Sequence, residues 1–314
     1  MSVTTDQQHA TNESYHVAII GGGPAGLQAA LVLARAGKRT VVFDSAEPAR
    51  NAPSHGVHNF LGLDGLLPSE IRDLAWRQIE AYGGAERRTV EVVRVTRDTH
   101  KPFVVYDAED RQYTADHVIA AFGYRDALPE LPGFGACWAD TIIACPFCDG
   151  FENRGRIWGV VPGPGCGLVA SAQMAKHWGS QVLAFVPPST QLTEQELATL
   201  AALQVDVHAG QIAQLHHRDG KLEGVSLDSG SRVAVETLLW EPPRTRAPLL
   251  NRMVEDLGLD VSDKGIVESD GRQGTNVPGL YVAGDLLGWT GALGAAGGGN
   301  VAATRIIKEW FARN

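Results

Sequence analysis

Apolar positions come first as short continuous runs rather than alternating ones. The run His16-Val-Ala-Ile-Ile20 stops at a cluster of glycines, Gly21-Gly-Gly-Pro-Ala-Gly26. An Ala/Leu-rich stretch with helical spacing then extends to Arg35, and Gly37 is placed to close it. A second run, Thr40-Val-Val-Phe-Asp44, ends on a carboxylate. Short unbroken runs bounded by turns are what strands buried on both faces look like, so the stretch predicts strand, glycine turn, helix, strand. The unit recurs as Ile157–Val161, the turn Pro162-Gly-Pro-Gly-Cys-Gly167, a helix through Ala170 to Trp178, and a strand from Gln181 to Val186. Near the end, Leu280-Tyr-Val-Ala-Gly-Asp285 predicts one more buried strand, then a glycine-rich turn and a helix from about Val301 to Phe311.

Two βαβ units imply two related domains of the α/β class, each a Rossmann-like, three-layer ββα dinucleotide-binding fold. Pro/Gly-rich joints at Gly123–Gly133 and Glu241–Pro248 bracket a domain-sized segment. The second domain is therefore expected inside the first. Residues 15–123 and 247–314 form the discontinuous first domain, and 124–246 form the insert. The polar residues 1–14 are expected to be a tail, without the apolar stretch of a secretory signal.

Composition narrows the function. The 314 residues carry 27 Lys+Arg against 36 Asp+Glu, a formal charge of −9 that disfavours nucleic acid as a partner. No apolar run is long enough for a membrane span, so a cytoplasmic location is expected. Glycine is about a ninth of the chain, above its usual share, and many sites therefore need close backbone approach. Four cysteines do not make a disulfide scaffold, but two stand as Cys145-Pro-Phe-Cys148. Cys137 and Cys166 are expected as small buried side chains.

Gly21, Gly23 and Gly26 make GxGxxG between a strand and a helix, with Pro24 and Ala25 inside it and Asp44 at the end of the next strand. Gly21 permits the turn, Gly23 lets backbone meet a pyrophosphate, and Gly26 packs helix on strand. Asp44 is placed for ribose hydroxyls. Gly284-Asp285 suits the far side of a longer cofactor, which favours FAD. The Cys145/Cys148 pair can close a small disulfide ring, and a helix start there would lower one thiol's pKa. A zinc reading needs two more ligands, for which only His216-His217 offers itself, and no metal is assigned.

The order GGGPAGL, RNAPSHGVHNFLG, VIAAFG, CPFCDGFE and YVAGD resembles the low-molecular-weight thioredoxin reductases, FAD-dependent pyridine-nucleotide-disulfide oxidoreductases. The likeness runs from about Tyr15 to Phe311. It implies that 15–123 and 247–314 are a discontinuous FAD-binding domain, and that 124–246 are an inserted NAD(P)H-domain-like module carrying the cysteine pair. It also implies a homodimer and flavin contacts at Arg50, Asn59, Ala121, Gly123, Gly284, Asp285, Ala292 and Leu293. It makes Cys148 the thiol facing the flavin, Cys145 the exchanging thiol, and Asp149 the proton donor. Phe122 stands where the family has Thr, and Thr290-Gly-Ala-Leu293 replaces its Arg-Gln-Ala-Ile.

The second glycine turn departs from the family's NADPH motif. Pro162 and Pro164 remove N–H donors, and Leu183 to Leu192 carries no Arg or Lys for a 2′-phosphate. NADPH is therefore not expected. The chain is similar in this to the family's dithiol oxidases of the gliotoxin and holomycin type, which close disulfides in small natural products. They carry Cys-Pro-Tyr-Cys-like centres, usually followed by His where this chain has Asp149. By that likeness, substrate thiols react at Cys145, Cys148 passes electrons to FAD, and O2 is the acceptor. Asp149, His55 or His58 handles the protons. The alternatives are a thioredoxin reductase fed by NADPH at an atypical site or by ferredoxin, with a thioredoxin-like partner, and a flavin-loaded or zinc-loaded binding protein without turnover.

Overall fold

A computed structural model describes residues 13–98 and 102–313. The expected tail lies outside these residues up to position 12, and Glu13 and Ser14 already belong to a strand. The first leg runs β1 (Glu13–Ile20), α1 (Pro24–Arg35), β2 (Thr40–Phe43), α2 (Pro68–Glu80), β3 (Ala85–Arg88), β4 (Val92–Arg97), β5 (Phe103–Asp107) and β6 (Gln112–Ala120). The middle opens with β7 (Arg125–Asp126), α3 (Phe134–Cys137), β8 (Ile142–Ile143), α4 (Pro146–Asp149), β9 (Ile157–Val160), α5 (Leu168–Trp178) and β10 (Gln181–Val186). It continues through α6 (Glu194–Ala202), β11 (Asp206–Ala209), β12 (Ile212–Arg218), β13 (Lys221–Leu227), β14 (Arg232–Val233), β15 (Thr237–Leu239) and β16 (Arg244–Thr245). The chain ends with α7 (Pro248–Leu257), β17 (Leu280–Val282), a 3-10 turn at Gly284–Leu287, and α8 (Gly291–Arg313).

The described residues divide into two compact units, one from 13–50, 68–125 and 246–313, the other from 51–67 and 126–245. Residues 51–67, expected with the first domain, cluster with the insert. The first unit holds a seven-stranded sheet ordered β3-β2-β1-β6-β5-β4, with β17 also on β6. The pairings among β3, β2, β1, β6 and β17 are parallel, and β6-β5-β4 is antiparallel. Val17 to Ile20 of β1 are buried, as a central parallel strand requires. One face packs against α1, α2 and α8, and Leu249, Leu250 and Met253 of α7 join the core on the other.

The C-terminal helix begins ten residues earlier than the glycine content predicts. Gly297-Gly-Gly299 lies inside α8 because α1 and α8 meet backbone to backbone, where a Cβ on Gly299 would fall 1.9 Å from the Ala25 carbonyl oxygen. That packing outweighs a propensity cost of about 1 kcal/mol per glycine. The strand expected to reach Asp285 stops at Val282, and Gly284-Asp285 opens the 3-10 turn instead.

In the second unit five parallel strands take the order β11-β10-β9-β15-β8. Leu168, Ala172 and Ala175 of α5 and Leu200 of α6 cover one face. The antiparallel β12-β13-β14 sheet joins the core on the other through Leu215, Leu222 and Val225. The strand order reverses between β9 and β15, which is where doubly wound sheets open a ligand crevice at their carboxyl ends. Cys137 is buried as expected, whereas Cys166, in the glycine turn after β9, is exposed. No helix among the described residues is long and apolar enough to cross a membrane.

Candidate active site

In the first unit, three distant segments converge on the start of α1. Gly21, at φ +110°, presses on strand β6's exit: a Cβ there would lie 2.4 Å from the Ala121 carbonyl oxygen. Gly26 is tighter, its Cβ position only 1.9 Å from the Gly21 carbonyl oxygen. Gly23, by contrast, faces open space, with nothing within 4 Å of its Cβ position. Pro24 and Ala25 begin the helix, and no side chain caps it. Gly284 comes in beside Ala25, a Cβ on it lying 3.1 Å from the Ala25 Cβ, and Asp285 lies next to Gly123. A turn closed at Gly21 and Gly26 but open at Gly23 fits a pyrophosphate at uncapped N–H groups. The residues present therefore fit FAD in this unit.

Asp44, buried after β2, is already engaged. Arg72 of α2 and Arg87 of β3 donate to its Oδ2, the latter at 3.1 Å. Its carboxyl group packs on the turn so closely that a Cβ on Gly22 would meet it at 2.5 Å. The sequence places Asp44 for ribose hydroxyls; in this structure the two arginines hold it, and no motif announces them. Arg50 lies over the Tyr124 ring, 4.9 Å from its centroid. Ala292 and the exposed Leu293 are in the first turn of α8.

The second unit carries the thiols. Cys145 caps the four-residue α4, and its Sγ is 2.8 Å from that of Cys148, the two not joined in a disulfide. The Cys145 thiol is held below its ordinary pKa chiefly by the hydrogen bond from Cys148, against burial, with help from the Cys148 and Phe147 N–H groups. The thiol activated by the turn is thus the first of the pair. Asp149, directly after Cys148, is pushed up to about 6, mainly by burial and next by the nearby Glu152 carboxylate. His58 and His55 act on it in the opposite sense.

Both histidines come from residues 51–67. His58 lies between Asp64 (Nδ1, 3.5 Å) and Glu152 (Nε2, 3.6 Å), and the exposed His55 is 3.8 Å from Asp140. Asn59, expected at the flavin, uses its Nδ2 to donate to the Phe147 carbonyl between the two cysteines, at 2.7 Å. The loop therefore fixes the dithiol turn and brings charge to Asp149. Sequence reasoning missed the group that holds the turn from behind, Asn153. Its Nδ2 donates to the carbonyls of Asp149 (3.0 Å) and Asp140 (3.1 Å), and its Oδ1 accepts from Thr237 and Arg156. The Phe147 ring stands edge-on to Trp178, itself stacked on buried Trp158. Among the described residues no group of three or more His, Cys, Asp or Glu side chains is placed to hold a metal ion, and His216 Nε2 pairs with Ser226 Oγ at 2.8 Å.

A cavity of about 500 Å³ opens at the carboxyl ends of β9 and β15, lined by Pro162, Gly163 and Pro164 of the second glycine turn and by Trp240 and Glu241. Among the described residues neither Arg nor Lys lines it, and Arg244 pairs with Glu241 at 3.1 Å. Pro162 and Pro164 bring no N–H to this wall, and the charged side chains that line it are the Glu130 and Glu241 carboxylates. Glu241, placed in a linker by the sequence, belongs to this crevice.

Comparison with known proteins places the chain in a family. The profile of the family described as pyridine nucleotide-disulphide oxidoreductase matches residues 15–306. Thioredoxin reductase aclD of Aspergillus oryzae is 31% identical over 307 residues, covering 93% of this chain and 95% of the relative. Thioredoxin reductase tcpT of Claviceps purpurea is 30% identical, covering 88% of each. Among solved structures, HlmI superposes with a TM-score of 0.87 at 31% identity, over 98% of this chain and 95% of that one.

Proposed function

This chain belongs to the pyridine nucleotide-disulphide oxidoreductase family, and on that premise we propose that it is a dithiol oxidase. It is an FAD-dependent oxidoreductase of the thioredoxin reductase-like kind. The finer reading is that it closes a disulfide within a small-molecule dithiol, R(SH)2 + O2 → RS2 + H2O2. The observation that supports it is one unit that joins a dithiol beside a near-neutral acid to a nucleotide crevice unfit for NADPH.

The substrate thiolate attacks Cys145 Sγ of the oxidised pair, forming a mixed disulfide and releasing Cys148 as thiolate. The second substrate thiol then attacks the substrate sulfur of that mixed disulfide, and Cys145 departs. Its depressed pKa makes it the better leaving group. Asp149 takes the substrate's thiol proton, for which a carboxyl near 6 is well matched. Asn59 and Asn153 keep the turn in place on both sides while its sulfurs exchange. FAD, when bound, supplies the two-electron relay from the reduced pair to O2. A homodimer is part of the proposal on resemblance alone.

The test is anaerobic spectroscopy of the yellow protein with a small dithiol, NADPH and NADH in turn, followed by air. Bleaching by the dithiol alone, reversed by air with one peroxide per turnover, is the expected result. A second reading rests on the relatives' own names, which include the thioredoxin reductase of Bacillus subtilis at 26% identity. Bleaching by NADPH within milliseconds selects that reading, a disulfide reductase with a thioredoxin-like partner.

A further inference from the structure

We propose that Glu241 is the cofactor-specificity residue of the second unit: its carboxylate occupies the phosphate cradle of the glycine turn and turns dinucleotides away. The inference deepens the reading that electrons do not come from a nicotinamide. Strands β9 and β15 are parallel neighbours, and their ends are joined by the Val161 N–H to the Leu239 carbonyl at 3.0 Å. The turn leaving β9 and the segment leaving β15 therefore face each other across the crevice where a doubly wound sheet takes its ligand. Glu241 stands two residues past β15 and fills that gap.

A Cβ added to Gly165 would lie 2.2 Å from Glu241 Oε2 and 2.8 Å from Oε1, and one added to Gly163 would lie 3.0 Å from the Glu241 carbonyl oxygen. Gly165 thus makes room for a carboxylate of the chain's own, and Gly163 for the backbone that carries it. The Glu241 side chain is about one-fifth exposed, and its Oε1 is held by Arg244 at 3.1 Å. That ion pair leaves Oε2 on the turn. Glu130 adds a second carboxylate to the wall, and Pro162 and Pro164 offer no N–H. A pyrophosphate entering here meets like charge on this wall.

The experiment measures binding of NADPH and of NADH to the intact flavin-loaded protein by calorimetry, for the wild type, Glu241→Gln and Glu241→Ala. Glu241→Gln keeps the shape and removes the charge, and Glu241→Ala removes both. The expected result is no binding to the wild type up to millimolar nucleotide. Glu241→Ala should bind about tenfold more tightly or better, with Glu241→Gln in between and its gain shrinking as salt is raised. Flavin content and dithiol-driven bleaching should match the wild type in both variants, which certifies the fold. Micromolar binding to the wild type overturns the inference and the nicotinamide-free reading together. Variants no better than a non-binding wild type overturn the role of Glu241 alone and leave exclusion to the prolines. Absence of dithiol-driven bleaching in all three proteins refutes the oxidase reading, whatever the nucleotide result.

Discussion

Replacing Glu152 and replacing His58 should move the pH dependence of thiol oxidation in opposite directions, because both act on Asp149. Burial and the Glu152 charge lift the Asp149 carboxyl from its usual 3.8 to about 6, while His58 and His55 hold it down. At pH 7 a group at about 6 is protonated in roughly one molecule in eleven, against roughly one in 1,600 at 3.8. Acting as base, Asp149 gives the dithiol-dependent rate of flavin bleaching a limb that rises through pH of about 6. Stopped-flow bleaching under nitrogen from pH 4.5 to 8.5 measures it directly. Asp149→Asn should flatten the limb and slow bleaching about a hundredfold or more. Glu152→Gln should carry the limb to lower pH and His58→Ala to higher pH, each by about half to one unit for one charge near a partly solvated group.

The stability of the same variant has a defined sign. A carboxyl whose folded pKa is raised costs stability that is fully present above about 6 and vanishes below the unfolded value near 3.8. Asp149→Asn should accordingly melt no lower than the wild type at pH 7.5, although it turns over poorly. A wild-type profile without a limb near 6, or limbs that move the same way in both charge variants, refutes the assignment.

Three other outcomes follow from the geometry. Cys148→Ser should stay yellow but lose dithiol-driven bleaching, and a variant that turns over at the wild-type rate excludes the two-thiol mechanism. Gly299→Ala should lower stability by about 2 kcal/mol in chemical denaturation, since its Cβ meets the Ala25 carbonyl at 1.9 Å, while Gly23→Ala, with nothing within 4 Å, should keep the fold and retain less FAD on dialysis. Asn153→Ala strips partners from buried Thr237 and from the Asp149 carbonyl, so a loss of about 2 kcal/mol is expected, read as a lower midpoint in urea.

Both βαβ units were legible because their signals are local. β1, α1 and β2 follow from a buried run, a glycine turn and a capped helix that touch each other in sequence, and β9, α5 and β10 repeat the logic. The Cys145/Cys148 turn with Asp149 beside it was legible for the same reason. The start of α8 was not, because Gly299, which reads as part of a turn, is there for Ala25 of α1, more than 260 residues earlier. Arg72 of α2 and Arg87 of β3 on Asp44, and Glu241 on the second turn, are likewise pairings of elements separated in sequence, which no spacing rule encodes.

The loop at 51–67 shows what such pairings do to function. By the family likeness, Asn59 belongs with the flavin and the two histidines are candidates to handle the protons. In the structure Asn59 donates to the carbonyl between the two cysteines, and His58 joins Glu152 beside Asp149. Each of these contacts acts on the thiols, by fixing the turn or by setting the charge that its acid feels. A substitution in this loop should therefore alter the rate and pH dependence of thiol exchange while flavin content stays constant. Flavin content that falls first, with the pH limb near 6 keeping its place, assigns the loop to the cofactor instead.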